Sequence, residues 1–216
     1  MTPRFAHAID PIFLYVLRLF DRLQEEQAAI SPEEEQTRLI VLFDRAAASL
    51  GESDEWNRAK YALVSWIDEI LLQRNWVGRD WWQNNVLEVK LFGTRLCYEQ
   101  FYLRADEALQ LLQCDALEVY YNCVLLGFHG IYDHPDMAAP WARRFRQPLD
   151  LQAWVDRMVL AIRLGQAPPV MSKNRFEIGG APPPPLWGQT LLMWSWVILL
   201  MLAMGNAVAW AMRIRS

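Results

Sequence analysis

The sequence predicts an all-α protein that ends in one transmembrane helix. Three observations lead to this fold class. Apolar residues recur at three- and four-residue spacing along most of the chain before residue 165, no segment alternates polar and apolar side chains for long, and residues 178–212 carry no charged side chain. With 216 residues, 53% of them apolar, the chain is long enough to bury a core.

The helices follow one another in a simple order. The first is predicted over residues 11–27, where apolar side chains lie on one face. The second begins after Ser31, an N-cap residue followed by Pro32 and an acidic first turn, and ends near Gly51. The third runs from Ser53 or Asp54 to about residue 75. Shorter helices are predicted over residues 81–92, 98–111, 115–128 and 149–164.

A linker is predicted to separate this helical domain, residues 1–164, from the membrane segment. It covers residues 165–185, and its four consecutive prolines at 182–185 enforce an extended, stiff chain. Helix packing cannot continue through such a run, so the domain and the segment after it are expected to be separate units.

The C-terminal segment is predicted to cross a membrane once. Residues 190–212 are almost wholly apolar, and at 1.5 Å per residue they cover roughly 35 Å, more than a hydrocarbon core of about 30 Å. Trp187 and Trp210 lie near its two ends, and Arg213 and Arg215 stop it. We therefore assign the transmembrane helix to residues 186–212 and a short tail to 213–216. The alternative is a long buried helix, which so long an uncharged stretch does not favour.

The domain is expected to stay in the cytoplasm, with the tail across the membrane. The N-terminus has no apolar run long enough for a secretory signal. Residues 1–172 hold 17 Lys and Arg against 24 Asp and Glu, and this acidic balance argues against nucleic acid as the main partner.

Residues near the far end of the apolar segment suggest association between membrane helices. Gly205 and the small residues around it would let two such helices approach closely, and Asn206 would hydrogen-bond between them in a homodimer. The alternative is that Asn206 lies near enough to the membrane surface to be hydrated.

The third helix carries the most informative polar residues. In YALVSWIDEILLQ, residues 61–73, only Ser65, Asp68 and Glu69 interrupt an apolar surface, so this helix belongs in the middle of a bundle. An unpaired buried carboxylate is costly, and Asp68 therefore needs partners. Two interpretations stay open: Asp68 accepts hydrogen bonds from a helix end or an arginine and fixes the bundle, or Asp68 and Glu69 line a groove that a partner protein fills.

Catalytic motifs are scarce, and we predict neither an enzyme nor a cofactor. The sequence contains no HExxH, CxxC, GxSxG or Walker-type loop. Adjacent helical residues point about 100° apart, so Asp68 and Glu69 cannot flank one scissile bond. A metal site in a membrane-tethered enzyme is a weaker alternative, because histidines five residues apart beside Pro135 more often cap a helix or face solvent. Its ligands would be His129, Asp133, His134 and Asp136.

Several blocks of the sequence resemble the DotU/IcmH family, which includes the short TssL proteins of type VI secretion systems. They occur in the family's order, and the uncharged C-terminal segment is similar to the family's membrane anchor. The chain departs from the family at residues 98–99, where Tyr-Glu replaces the usual Gly-Glu, and at GIYDH, which lacks an arginine. The blocks are AKYALVSWIDEILLQRNW at 59–76, WW at 81–82, LFGTR at 91–95, QFY at 100–102 and LEVYYNCVLLGFHGIY at 117–132.

The resemblance implies a cytoplasmic domain of two small helical bundles, anchored in the bacterial inner membrane with its C-terminus in the periplasm. It implies a structural component that forms a complex with an IcmF/TssM-type protein, reaches a TssJ-type lipoprotein indirectly and helps recruit the baseplate. The family's acidic pair falls on Asp68 and Glu69, which favours an acidic groove that receives basic residues of a partner. A component of a type IVb system is the alternative.

Overall fold

The structure is a computed structural model that describes residues 1–24 and 30–165, and the regular elements in this part of the chain are helical, as the sequence predicts. The predicted transmembrane helix 186–212, the tail 213–216, Gly205, Asn206 and all of the predicted linker except Gly165 lie outside these residues. The α-helices are α1 Pro3–Gln24, α2 Pro32–Leu50, α3 Asp54–Gln73, α4 Arg79–Asn84, α5 Leu87–Phe92, α6 Cys97–Ala108, α7 Asp115–Leu125, α8 Pro135–Phe145 and α9 Leu151–Gly165, with a 3₁₀ turn at Gly130–Asp133 before α8.

No helix in the described ranges combines the length and the apolar character that crossing a membrane requires.

Helix α1 begins eight residues earlier than the sequence predicts. Pro11 was the expected start, because the apolar face was recognised only from that residue onward. In the structure Pro11 lies inside α1. The helix extends before it because Phe5 and Ile9 bury on the same face as Ile12, so their burial offsets the hydrogen bond that Pro11 cannot make.

The start of α2 confirms the sequence prediction. Ser31 is the N-cap, and its hydroxyl accepts a hydrogen bond from the backbone N–H of Glu34 at 3.3 Å. At its other end the helix stops at Gly51, whose φ of 74° is a conformation that glycine adopts without strain.

Helix α3 occupies the centre of the domain, as its apolar surface predicts. It contacts α2, α4, α5, α6 and α7, and most of its side chains from Trp56 to Leu71 are buried. Such a position removes both faces of α3 from water, so its polar residues must find partners on the neighbouring helices.

Two further elements differ from the sequence prediction. The single helix expected over residues 81–92 is divided at Asn85 and Val86 into α4 and α5. Helix α8 was not predicted, because Pro135 was assigned to a turn beside the two histidines. Pro135 instead stands in the first turn of α8, where a missing N–H costs nothing, and Trp141 anchors the helix by burying its ring.

Aromatic rings hold the C-terminal half of the domain together. Phe101 of α6 stacks on Phe128 with 3.9 Å between ring centroids, and Tyr102 meets Trp154 of α9 edge to face at 5.2 Å. These contacts fix α6, α7 and α9 around the segment that follows α7. That segment includes His129 and Gly130, whose backbone N–H groups contact Glu69 of α3.

Candidate protein-interaction site

Asp68 lies in the interior of the domain and closes the N-terminus of α5. Asp68 is 1% exposed. Oδ1 accepts the backbone N–H of Leu87 at 2.9 Å, and Oδ2 accepts that of Glu88 at 2.8 Å. These two amides start α5 and have no partner within the helix, so Asp68 replaces the missing N-cap side chain of that helix.

A third donor comes from the aromatic corner that Trp76, Trp81 and Trp82 form. The indole Nε1 of Trp82 donates to Asp68 Oδ1 at 2.9 Å. The ring of Trp82 packs between Trp76 and Trp81, at 6.3 and 6.2 Å between centroids. Gly78 permits this corner, because a Cβ there would lie 2.1 Å from the Trp76 ring. The corner is therefore structural packing that also aims one donor at Asp68.

The electrostatics of Asp68 are dominated by its burial. Removal from water raises the pKa of Asp68 from its usual 3.8 to about 7, and the carboxylate of Glu88 adds to the rise. The three hydrogen bonds act in the opposite direction, because they favour the charged form. The pKa of Asp68 therefore lies close to neutral pH.

Glu69 caps a different segment and lies closer to the surface. Its two oxygens accept the backbone N–H of His129 at 2.6 Å and of Gly130 at 2.8 Å, where the 3₁₀ turn begins. Gln73 donates to Oε1 from the exposed side at 3.3 Å. Burial raises the pKa of Glu69, and the two backbone hydrogen bonds oppose that rise. Glu69 is partly exposed, whereas Asp68 is fully buried.

Asp68 and Glu69 therefore diverge, although they are neighbours in sequence. Asp68 holds α5, and Glu69 holds the turn after α7. The two side chains leave the same turn of α3 but point to different sides of it, because successive residues of a helix point about 100° apart.

Two further carboxylates repeat this arrangement, the buried Glu88 and the half-buried Glu55, and the sequence alone did not single them out. Glu88 of α5 accepts the Tyr61 hydroxyl at 2.9 Å and the backbone N–H groups of Leu96 and Cys97 at 3.0 and 3.1 Å, so it closes the start of α6. The available signal was its position in VLEVKLF, a lone acid between apolar residues.

Glu55, in the first turn of α3, does the same for α7. Its Oε2 accepts the backbone N–H of Ala116 at 2.8 Å, and burial raises the pKa of Glu55. Glu55, Asp68 and Glu69 together make α3 the acceptor for the first amides of three other segments. The central helix thereby fixes where those segments begin.

Another buried acid joins α1 to α2. Arg22 donates two hydrogen bonds to Glu35, at 2.9 and 3.1 Å, and the Tyr15 hydroxyl also donates to Glu35. Arg38 pairs with Glu35 from the same helix at 3.3 Å. In this network Glu35 forms ion pairs with two arginines and accepts one neutral donor, and the network is separate from the acids of α3.

The arrangement suits binding rather than metal chemistry. Across residues 1–24 and 30–165, no three His, Cys, Asp or Glu side chains converge closely enough to hold a metal ion. The alternative ligand set of the sequence analysis is therefore not assembled in the structure; it comprised His129, Asp133, His134 and Asp136. Of the three α3 acids that accept backbone amides, Glu69 is partly exposed and Asp68 is fully buried.

Comparison with known proteins gives a family and a fold. Residues 4–214 match the model of a family described as type VI secretion system protein DotU. The cytoplasmic domain of TssL from Acinetobacter baumannii superposes with a TM-score of 0.59 at 22% identity, over 75% of this chain and 98% of that chain. SciP/TssL from Escherichia coli Enteroaggregative 042 has a TM-score of 0.50 at 23% identity, over 66% and 88%. No curated protein sequence matches the chain. At these identities the two structures establish the fold alone.

Proposed function

This chain belongs to the DotU family of type VI secretion system proteins, and we propose that it is a non-enzymatic structural component of the membrane complex of such a system. One observation carries the proposal. The family match extends over residues 4–214 and so includes both the helical domain and the apolar segment 190–212.

In this proposal the helical domain, arranged as two small bundles, faces the cytoplasm. Residues 186–212 cross the inner membrane once, and residues 213–216 lie in the periplasm. The 35 residues 178–212 carry no charge, which supports a membrane-spanning role, because a charged side chain at the centre of a bilayer costs several kcal/mol. Gly205 and Asn206 would join two copies of the helix in a homodimer.

The proposed partners follow from the family. An IcmF/TssM-type protein binds the chain in the inner membrane, a baseplate component binds the cytoplasmic domain, and a TssJ-type lipoprotein is reached indirectly through the complex. The acidic balance of the domain supports partners that present Lys or Arg.

We assign different parts in partner binding to the two acids of α3. Glu69 is partly exposed and offers the charge that a basic residue of the partner meets. Asp68 is buried and accepts three hydrogen bonds, so we assign it to holding the start of α5 in place. Partner binding through Asp68 itself would require α5 to detach first.

Affinity capture of the full-length chain from membranes tests the function. We expect an IcmF/TssM-type protein and a baseplate protein to be captured with the wild type. Glu69→Lys should reduce baseplate capture by roughly tenfold, because it places like charges opposite each other. Glu52→Lys is the matched control, since Glu52 is also exposed and precedes α3. Capture of neither secretion protein by the wild type contradicts the proposed function.

Topology has its own test. Arg215→Cys should react with a membrane-impermeant maleimide in intact spheroplasts, whereas a cysteine introduced at Glu52 should react only after lysis. The reverse pattern, or equal labelling, contradicts the proposed orientation.

A further inference from the structure

One face of α1 carries an exposed stripe in which two leucines are flanked by an aspartate at each end. Asp10, Leu14, Leu17 and Asp21 are spaced by four, three and four residues, which places all four on one line along the helix. Leu14 is 51% exposed and Leu17 39%, and both aspartates are exposed. The stripe is three turns, about 16 Å, long.

A buried tryptophan connects this stripe to the end of α7. The ring of Trp66 lies 5.3 Å from that of Phe13 on α1, and its Nε1 donates to the backbone carbonyl of Leu126 at 3.3 Å. Leu125 and Leu126 are both exposed. Leucines therefore stand exposed on α1 and on the α7 end, the two elements that Trp66 joins.

This surface differs from single exposed leucines, which are common on soluble proteins and need no explanation. Here four exposed leucines come from two elements that share one buried ring. We define the stripe together with Leu125 and Leu126 as the α1–α7 surface. On α1, Leu14 and Leu17 have the three-residue spacing with which a helix presents anchors to another helix.

The charges at the two ends indicate what kind of helix fits. In the part of the chain that the structure describes, the carboxylates of Asp10 and Asp21 make no hydrogen bond or ion pair. Arg18 stands on the same helix but forms no ion pair with Asp21 within that part. Two unpaired acids that flank leucines complement Lys or Arg flanking apolar residues.

We propose that the α1–α7 surface docks an amphipathic helix of a partner protein, with apolar residues at three- and four-residue spacing and Lys or Arg at both ends of that apolar stretch. A second copy of this chain fits less well, because its own stripe also ends in aspartates. The inference rests on the proposed function only in assuming that the chain works within a protein assembly. It adds a surface beyond the Asp68 and Glu69 pair.

Photocrosslinking in the intact protein tests the surface directly. The full-length chain carries p-benzoylphenylalanine at Leu17, is expressed in its native membrane and is irradiated, and the crosslinked peptide is sequenced. The expected product is a segment of another protein whose sequence predicts a basic amphipathic helix. A crosslink to a second copy of this chain, to lipid, to a segment without that pattern, or no crosslink at all overturns the proposal. The control site is Leu160 of α9, which is also well exposed.

Capture experiments separate this inference from the proposed function. The double variant Leu14→Ser plus Leu17→Ser should capture the photocrosslinked partner roughly tenfold less than the wild type. Leu160→Ser plus Leu164→Ser is the matched control and should leave capture unchanged. Equal loss in both variants, or no loss in either, overturns the surface even when the wild type captures secretion proteins. If the wild type captures no secretion protein, the proposed function fails while the photocrosslink still decides the surface.

Folding of the variants is checked by far-UV circular dichroism. Both leucine pairs are exposed, so each double variant should melt within about 2 °C of the wild type. Should the α1 pair melt lower, Asp10→Lys plus Asp21→Lys replaces it, and the same loss of capture is expected from charge reversal alone.

Discussion

Asp68 of α3 accepts the backbone N–H of Leu87, the first residue of α5, at 2.9 Å across nineteen residues of chain. A carboxylate of one helix thus supplies the N-cap of another. This relationship explains why α4 and α5 are separate helices: the break at Asn85 and Val86 is where α5 turns its first amides toward Asp68.

Asp68→Asn should destabilise the folded chain, although it keeps the shape of the side chain. One of its two terminal atoms becomes an NH₂ group, which cannot accept a hydrogen bond, so a buried backbone N–H is left without an acceptor. We expect a loss of about 2 kcal/mol near pH 6, which lowers the melting temperature by roughly 4 to 8 °C. Thermal melting of the full-length chain, followed by circular dichroism, measures it.

The control for that variant is Asp44→Asn, because Asp44 is exposed on α2. It should melt within about 2 °C of the wild type. An unchanged melting temperature for Asp68→Asn would mean that the start of α5 does not depend on Asp68.

The same variant should reveal a pH dependence of stability. Because burial raises the pKa of Asp68 to about 7, the folded chain binds this proton more tightly than the unfolded chain does. The stabilisation that results is complete below about pH 4 and is lost as the pH rises through about 7. The difference in melting temperature between wild type and Asp68→Asn should therefore narrow between about pH 5 and about pH 8. A difference that widens over this range contradicts the raised pKa.

Glu88→Gln should loosen the start of α6. The amide nitrogen of glutamine cannot accept the N–H of Cys97, so one terminal amide of α6 loses its partner. We expect a cost of about 1 to 3 kcal/mol. In hydrogen exchange resolved by mass spectrometry, the first turn of α6 should exchange faster in the variant than in the wild type, whereas the exchange rate of α2 should stay the same. Glu52→Gln, at an exposed site, is the control and should leave both rates unchanged.

Glu35 should contribute to stability in the opposite pH direction from Asp68. Burial raises its pKa, but the donors on Arg22 and Tyr15 and the charge of Arg38 outweigh burial, so the pKa of Glu35 is lowered below its usual 4.5. Its stabilisation is therefore present above about pH 4.5 and is lost as the pH falls.

Melting at about pH 3 and about pH 6 tests this assignment. Glu35→Gln should lower the melting temperature clearly at the higher pH and much less at the lower pH, where Glu35 of the wild type is being protonated. Glu34→Gln serves as the control, since Glu34 is mostly exposed on the same helix. A loss that is equal at both pH values would show that Glu35 does not act as a charged acceptor.

Local sequence rules placed most helices but not all of their ends. The N-cap at Ser31 was predictable, because the cap and the helix it starts are neighbours in sequence. The start of α1 was not predictable, because the residues before Pro11 are helical for a tertiary reason: Phe5 and Ile9 are buried against other elements. Helix α8 was missed for a related reason: its prolines are visible in the sequence, and the burial of Trp141 is not.

The candidate site shows the same division. The interruption of an apolar helix by Asp68 and Glu69 was enough to single both out and to require partners for Asp68. Which donors those partners are, and that the two acids serve different segments, depends on α5 and on the turn at His129. Glu88 escaped notice because its donors lie on α3, in the α5–α6 loop and at the start of α6.

By itself, the sequence determined that the domain is helical, that α3 lies at its centre and that the chain resembles the DotU family, because periodicity and motif order are properties of neighbouring residues. Only the tertiary structure decided that the acids of α3 close the N-termini of other segments. The unpaired amides at a helix start can be satisfied by any acceptor that folding brings near, and that acceptor is often far away along the chain.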